Sequence, residues 1–194
     1  MPFQAEREVS QSGPIEGSAR RQIISQELRA MDPVAGDGGV ELADSLKAAL
    51  RRLASGVSIV ALDGEDGPMG MAATSITSLT MDPPAVLVCI NQAASIHSRL
   101  SRGRTVSISI LSSHQRDVAA AFGGAVAREQ RFEVGDWSVG GAEPPLLEQA
   151  QACLVGAIDE IGRYGTHSIV IVKVRSVRLG QGGSPLIYQN GAYL

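Results

Sequence analysis

The side chains able to act on a ligand fall in a few short stretches of this 194-residue chain. Ala72, Ala73, Thr74 and Ser75 offer backbone N–H groups and two hydroxyls with little bulk, suited to hydrogen-bonding the polar edge of a ligand without crowding it. Asn91 stands at the exit of the apolar run AVLVCIN and can both donate and accept. Ser95 and His97 lie at the start of an expected short helix, where unpaired N–H groups and the helix dipole favour an anion such as phosphate. His167 follows Gly165-Thr166, a short turn that can present an imidazole from a strand end. Each residue also fits a plainer part: a strand hydroxyl facing solvent, an Asn capping a turn, a histidine on a strand edge. The remaining chemistry is limited by what is missing. There is no G-x-x-x-x-G-K-[ST] loop and no G-x-S-x-G elbow. Gly64, Gly67 and Gly70 read as a hairpin turn, since they do not open a helix after a strand. His97, His114 and His167 have neither i, i+4 spacing nor Cys partners, so no metal site is expected. Any reaction here is therefore expected to draw its reactivity largely from a bound cofactor.

Those residues must be held by the surrounding elements. Residues 1–40 differ from the rest and read as an extension, with residues 41–194 as one domain. Ile24, Leu28 and Met31 mark a short helix stopped by Asp32-Pro33, and Gly36, Gly38 and Gly39 read as a hinge. A second amphipathic helix carries Leu42, Leu46, Ala49, Leu50 and Leu53 on one face and ends at Gly56. The period then changes to strands. They are expected over Val57–Leu62, Gly70–Ser78, Ala85–Asn91, Thr105–Leu111, Ala152–Ile161, His167–Leu179 and Pro185–Tyr193. Short helices are expected over Ser95–Leu100, with Ser95 as N-cap, and over His114–Phe122, ended by Gly123-Gly124. Residues 125–145 are irregular and hold the sole tryptophan, Trp137. Short strands with few helices and no βαβ rhythm predict a mainly antiparallel β-barrel rather than a Rossmann sheet.

Bulk composition removes other classes. A net charge of −3 and an isoelectric point near 5.6 leave no basic footprint for nucleic acid or an anionic membrane. Aromatic content of 4% argues against base-stacking platforms. Cys89 and Cys153 sit in apolar runs and read as buried, reduced thiols. The start of the chain has no apolar leader core, and no apolar run approaches the ~18 residues of a membrane helix. A cytoplasmic protein is the simplest expectation.

The stretch GMAATSITSLTMDPPAVLVCINQAAS, Gly70–Ser95, resembles the flavin-binding signature of the short-chain flavin reductases, the reductase components of two-component flavin-dependent monooxygenases. The resemblance continues through SISILSSHQRDVAAAF, Arg131-Phe132, Gly165-Thr166-His167 and the C-terminal PLIYQNGAY, about 150 residues from near Leu42 onward. It implies a mainly β, Greek-key split β-barrel that works as a homodimer. It also implies an NAD(P)H:flavin oxidoreductase that reduces free FAD or FMN with NADH or NADPH, NADH and FAD being the favoured pair, and hands reduced flavin to a partner monooxygenase. Met71, Ala72, Ala73, Thr74, Ser75, Asn91, Ser95, His97 and Ser109 are then the expected flavin contacts, and His167 the expected nicotinamide contact. No side chain is expected as a covalent catalyst. An isoalloxazine needs just such small groups along its polar edge. Against the family pattern, Ala72 stands where Thr is usual, Ile76 where Phe is common, Ser109 where Asn is frequent and Thr166 where Asp is frequent. The competing expectations are a non-catalytic flavin- or haem-binding split-barrel module and an enzyme like pyridoxamine-phosphate oxidase, whose basic phosphate cluster is not evident in this sequence.

Overall fold

The computed structural model describes residues 39–141 and 143–194. The expected helix around Ile24, Leu28 and Met31 and its hinge at Gly36 and Gly38 lie outside the described residues. Gly39, read as part of that hinge, opens helix α1 (Gly39–Leu50) instead. On α1, Leu42, Leu46 and Leu50 are each more than half exposed, as is Leu53 beyond it. Helix α1 stops short of Gly56 because its exit is claimed by the far end of the chain. Arg51 and Arg52 present their carbonyls to the Asn190 N–H (2.7 Å) and to Gln189 Nε2 (2.8 Å), so carbonyls that a helix end leaves orphaned are satisfied there.

Among the described residues twelve strands follow, all pairing antiparallel. They are β1 (Ser55–Gly56), β2 (Ser58–Gly64), β3 (Gly67–Ala73), β4 (Ile76–Met81), β5 (Pro84–Asn91) and β6 (Thr105–Ile110), then β7 (Trp137–Ser138), β8 (Leu146–Leu147), β9 (Ala152–Tyr164), β10 (His167–Leu179), β11 (Ile187–Gln189) and β12 (Ala192–Tyr193). The main sheet has seven strands in the order β3-β2-β6-β9-β10-β5-β4. Its two edge strands, β3 and β4, are consecutive in the chain and joined only by Thr74-Ser75. The sheet therefore curls until its edges meet, and the seam is closed by two residues of chain instead of a hydrogen-bonded ladder: a split barrel. This corrects the reading of Gly70–Ser78 as one strand. Its first half pairs with β2 and its second with β5, so the chain must break step between them.

Alternation along the strands divides the apolar residues into two cores. Val60 and Leu62 of β2, Val88 and Ile90 of β5, Val106 and Ile108 of β6, Ile158 of β9 and Val170 and Val172 of β10 fill the barrel, and Ile96 enters from one end. On the opposite face, Ile59, Leu111 and Leu147 pack beneath helix α2 (Arg116–Ala120) and the π-turn Ala121–Ala125. Phe122, Phe132 and Trp137 form a cluster there with ring centroids 4.9–5.1 Å apart. Phe122 lies so close to β3 that a Cβ added at Gly70 would come within 2.7 Å of its ring.

Two further expectations are revised. The helix predicted over His114–Phe122 is α-helical only at Arg116–Ala120 before it widens into the π-turn. Pro185–Tyr193 is a hairpin, β11–β12, rather than one strand. Its turn is Asn190-Gly191, both with positive φ (52° and 84°), as a type I′ turn demands.

Candidate functional site

The candidate residues occupy four places in this frame. Met71, Ala72 and Ala73 end β3: Met71 and Ala73 face the barrel interior, and Ala72 faces the aromatic layer. Thr74 and Ser75 form the seam and are exposed. No hydrogen-bond partner takes their backbone N–H groups among the described residues. Thr74 borders a cleft of about 300 Å³ with Leu50, Leu53, Tyr188 and Gln189. Ser75 Oγ donates to the Cys89 carbonyl at 2.8 Å, tying the seam to β5 while its lone pairs stay available.

Asn91 and His167 occupy the second place. They are direct partners across β5 and β10, both exposed. Asn91 Oδ1 accepts the Ala93 N–H at 2.9 Å and its carbonyl accepts the Ala94 N–H at 3.0 Å, so its acceptors fold the chain into the next turn. Its Nδ2 donors have no partner among the described residues. His167 Nδ1 lies 3.0 Å from Thr166 Oγ1, which fixes one ring nitrogen locally and leaves Nε2 outward.

The third place is the 3₁₀ turn Ser95–Arg99, which plugs the barrel with Ile96. Its N-cap is Ala94, with no side-chain cap, and this corrects the reading of Ser95 as the capping residue. Ser95 is the first residue inside the turn, and its carbonyl accepts from Ser98 Oγ. His97 Nε2 lies 2.9 Å from Oγ of Ser168, a fully buried residue whose neighbours in alternation, Val170 and Val172, point into the barrel. His97 and His167 thus address opposite faces of β10.

Ser109 is the fourth and stands apart. It is buried at the centre of the sheet, where its hydroxyl accepts the Leu147 N–H at 3.3 Å and lies 3.5 Å from Cys153 Sγ. Both cysteines are free. Cys153 is buried as expected, whereas Cys89 is half-buried because it faces outward from β5, in step with Asn91.

The structure therefore gathers Ser75, Asn91 and His167 along one outer face. Cys89 and Asn91 are two residues apart on β5, Ile169 and His167 are their partners on β10, and Ser75 is tied to Cys89. Sequence reasoning passed over Gln92. Its side chain lies against the Gly165–His167 turn, 73 to 75 residues away in the chain, and no local pattern could have revealed that.

Among the described residues, the seam's N–H groups are without partners, and they lie beside the strand ends that carry the Asn91 amide and the His167 imidazole. The chain belongs to the family of proteins with a flavin reductase like domain, whose model matches residues 50–194. The FMN reductase (NADH) RutF of Pseudomonas syringae pv. syringae is 32% identical over 145 residues, covering 75% of this chain and 82% of that protein. The 4-hydroxyphenylacetate 3-monooxygenase reductase component of Pseudomonas aeruginosa is 31% identical over 142 residues, covering 72% and 84%. Among solved structures, the NADH:FAD oxidoreductase SgcE6 of Streptomyces globisporus C-1027, in complex with NAD and FAD fragments, superposes with a TM-score of 0.73 at 27% identity, covering 82% of this chain and 96% of that one. Among the described residues, no helix is long and apolar enough to cross a membrane.

Proposed function

We propose that this protein is an NAD(P)H-dependent flavin reductase that reduces free flavin and supplies it to a separate monooxygenase, with NADH and FAD as the preferred pair. The observation that carries the reading is the pairing of Asn91 with His167 beside an open seam, in a chain of the flavin reductase family. The donor set suits an isoalloxazine, whose pyrimidine edge is rich in acceptors: the Thr74 and Ser75 N–H groups, the Thr74 hydroxyl and Asn91 Nδ2 are all donors that do not crowd a ring, while the Ser75 hydroxyl, whose proton goes to the Cys89 carbonyl, can only accept. Hydride transfer from nicotinamide to flavin is chemistry the two cofactors supply when bound. The chain's part is to bind and align them.

In this assignment Met71, Ala72 and Ala73 keep the approach to the seam narrow. Thr74, Ser75 and Asn91 hold the ring edge. Ser95 and His97 lie toward the flavin's phosphate end, and His167 meets the nicotinamide. Ser109 acts only through the layer in which it is buried.

A homodimer belongs to the same proposal. Ile161 and Tyr164 on β9 and Ile169 on β10, the strand that carries His167, leave apolar surface exposed, and such surface is commonly covered by a second subunit. A monomer mass by light scattering overturns that part.

The deciding assay mixes purified protein with NADH or NADPH and FAD or FMN and follows nicotinamide oxidation. Turnover with flavin in free exchange is expected. Tight flavin or haem binding with no oxidation above background would instead identify a non-catalytic binding module.

A further inference from the structure

Gln92 makes three hydrogen bonds to three successive carbonyls. Its backbone N–H donates to Thr166 O at 2.9 Å, and its side-chain Nε2 donates to Gly165 O at 3.2 Å and to His167 O at 3.1 Å. Because the side chain's partners are both carbonyl oxygens, only the NH₂ end of the amide satisfies them. Gly165 itself has φ of +55°, so the link between β9 and β10 is a tight turn whose carbonyls would otherwise face solvent. One residue on the β5 side therefore fixes the orientation of the turn that launches β10, and with it the backbone from which the His167 imidazole projects.

We propose that Gln92 is a positioning residue for nicotinamide binding: by clamping the Gly165–His167 turn it holds the His167 ring in place opposite Asn91. The inference rests on the assignment of His167 to the nicotinamide. A chain with an intact fold but a loose turn would bind flavin normally and bind NADH poorly, because the clamp touches no part of the seam.

The test compares Gln92→Ala, the near-isosteric Gln92→Glu and His167→Ala with the parent protein. Five quantities are measured: flavin affinity, the NADH dissociation constant by fluorescence titration, the KM and the kcat for NADH, and hydrogen–deuterium exchange across residues 165–167, which needs no cofactor. Gln92→Ala is expected to speed exchange in the turn and to weaken NADH binding by about two- to twelve-fold for each side-chain bond lost, with flavin affinity unchanged. Gln92→Glu keeps the shape but loses the donors at neutral pH, so the same defect is expected. Parent-like NADH binding in Gln92→Ala, while His167→Ala is impaired, overturns the clamp but spares the His167 assignment. Parent-like NADH binding in both variants removes the assignment and the inference with it. Full rescue by Gln92→Glu, or equal losses for flavin and NADH, overturns the donor role.

Discussion

Asn91 and His167 face each other as register partners at the same end of β5 and β10, with their side chains on the outer face of the barrel. Such partners lie roughly 5 Å apart at Cα, so one ligand edge held by the amide is within reach of the imidazole. Neighbouring strands thus bring together two polar groups distant in sequence.

Replacing His167 with Ala is expected to impair the nicotinamide side of the reaction more than the flavin side. Loss of one hydrogen bond should raise the KM for NADH about two- to twelve-fold. Stopped-flow reduction separates the effects, since its NADH dependence reports binding and its plateau reports transfer. Parent values for both would make His167 a surface residue without a role in the reaction.

Asn91 holds a turn and is assigned a flavin contact, two roles that substitution can divide. Its Oδ1 serves the turn through the Ala93 N–H, while Nδ2 is the donor assigned to flavin. Asn91→Asp keeps the acceptor and loses the donor, so thermal stability should hold while flavin affinity falls by about two- to twelve-fold or more, the added charge also opposing an acceptor edge. Asn91→Ala should lose both. Equal flavin affinity in Asn91→Asp and the parent protein would remove Asn91 from the site.

Gly70 is where β3 and the aromatic cluster meet. A Cβ there would lie 2.7 Å from Phe122 Cε1 and 3.2 Å from the Val60 carbonyl, so Phe122 and its partners must shift. Gly70→Ala is expected to cost about 1–3 kcal/mol, as overpacking typically does. At this chain size each kcal/mol lowers Tm by about 2–4 °C. An unchanged melting curve would mean that the cluster yields freely.

Much of this architecture was legible in the sequence. The alternation in TVSISIL and the buried run AVLVCIN fixed β6 and β5 nearly to the residue, because period and apolarity are local properties. The break at Thr74-Ser75 was not legible. Gly70–Ser78 looks like one continuous strand until its two halves take different partners, and partner choice is a property of the whole sheet. The Asn190-Gly191 turn, by contrast, carried a readable signal that an overall β pattern masked. Among the candidate residues, Thr74, Ser75, Asn91 and His167 came from motif resemblance, and the structure adds the grouping of Ser75, Asn91 and His167 on one outer face. Gln92 and the pairing of His97 with Ser168 depend on contacts across more than seventy residues, beyond any window on the chain.

The C-terminal hairpin offers a pH probe. Burial holds the Tyr193 phenol above its usual range, and the adjacent Tyr188, with ring centroids 5.3 Å apart, pushes it the same way. The neutral phenol is the form the fold favours. Its contribution to stability is therefore complete below the unfolded value of about 10 and is lost as pH climbs through the higher folded value. The expected result is a Tm that declines above about pH 10, with a smaller decline in Tyr193→Phe. Identical alkaline profiles for the two proteins would contradict it.

The two-residue seam has a consequence for how such a barrel diversifies. Lengthening the tether between β3 and β4 raises loop-closure entropy only slowly, by roughly 0.6 kcal/mol for each doubling. The ladders on either side, from β3 round to β4, do not depend on it. The N–H groups that Thr74 and Ser75 present, however, change direction with every residue added or exchanged there. If the seam holds flavin as proposed, flavin preference can thus change there under little folding constraint, while the rest of the sheet is kept.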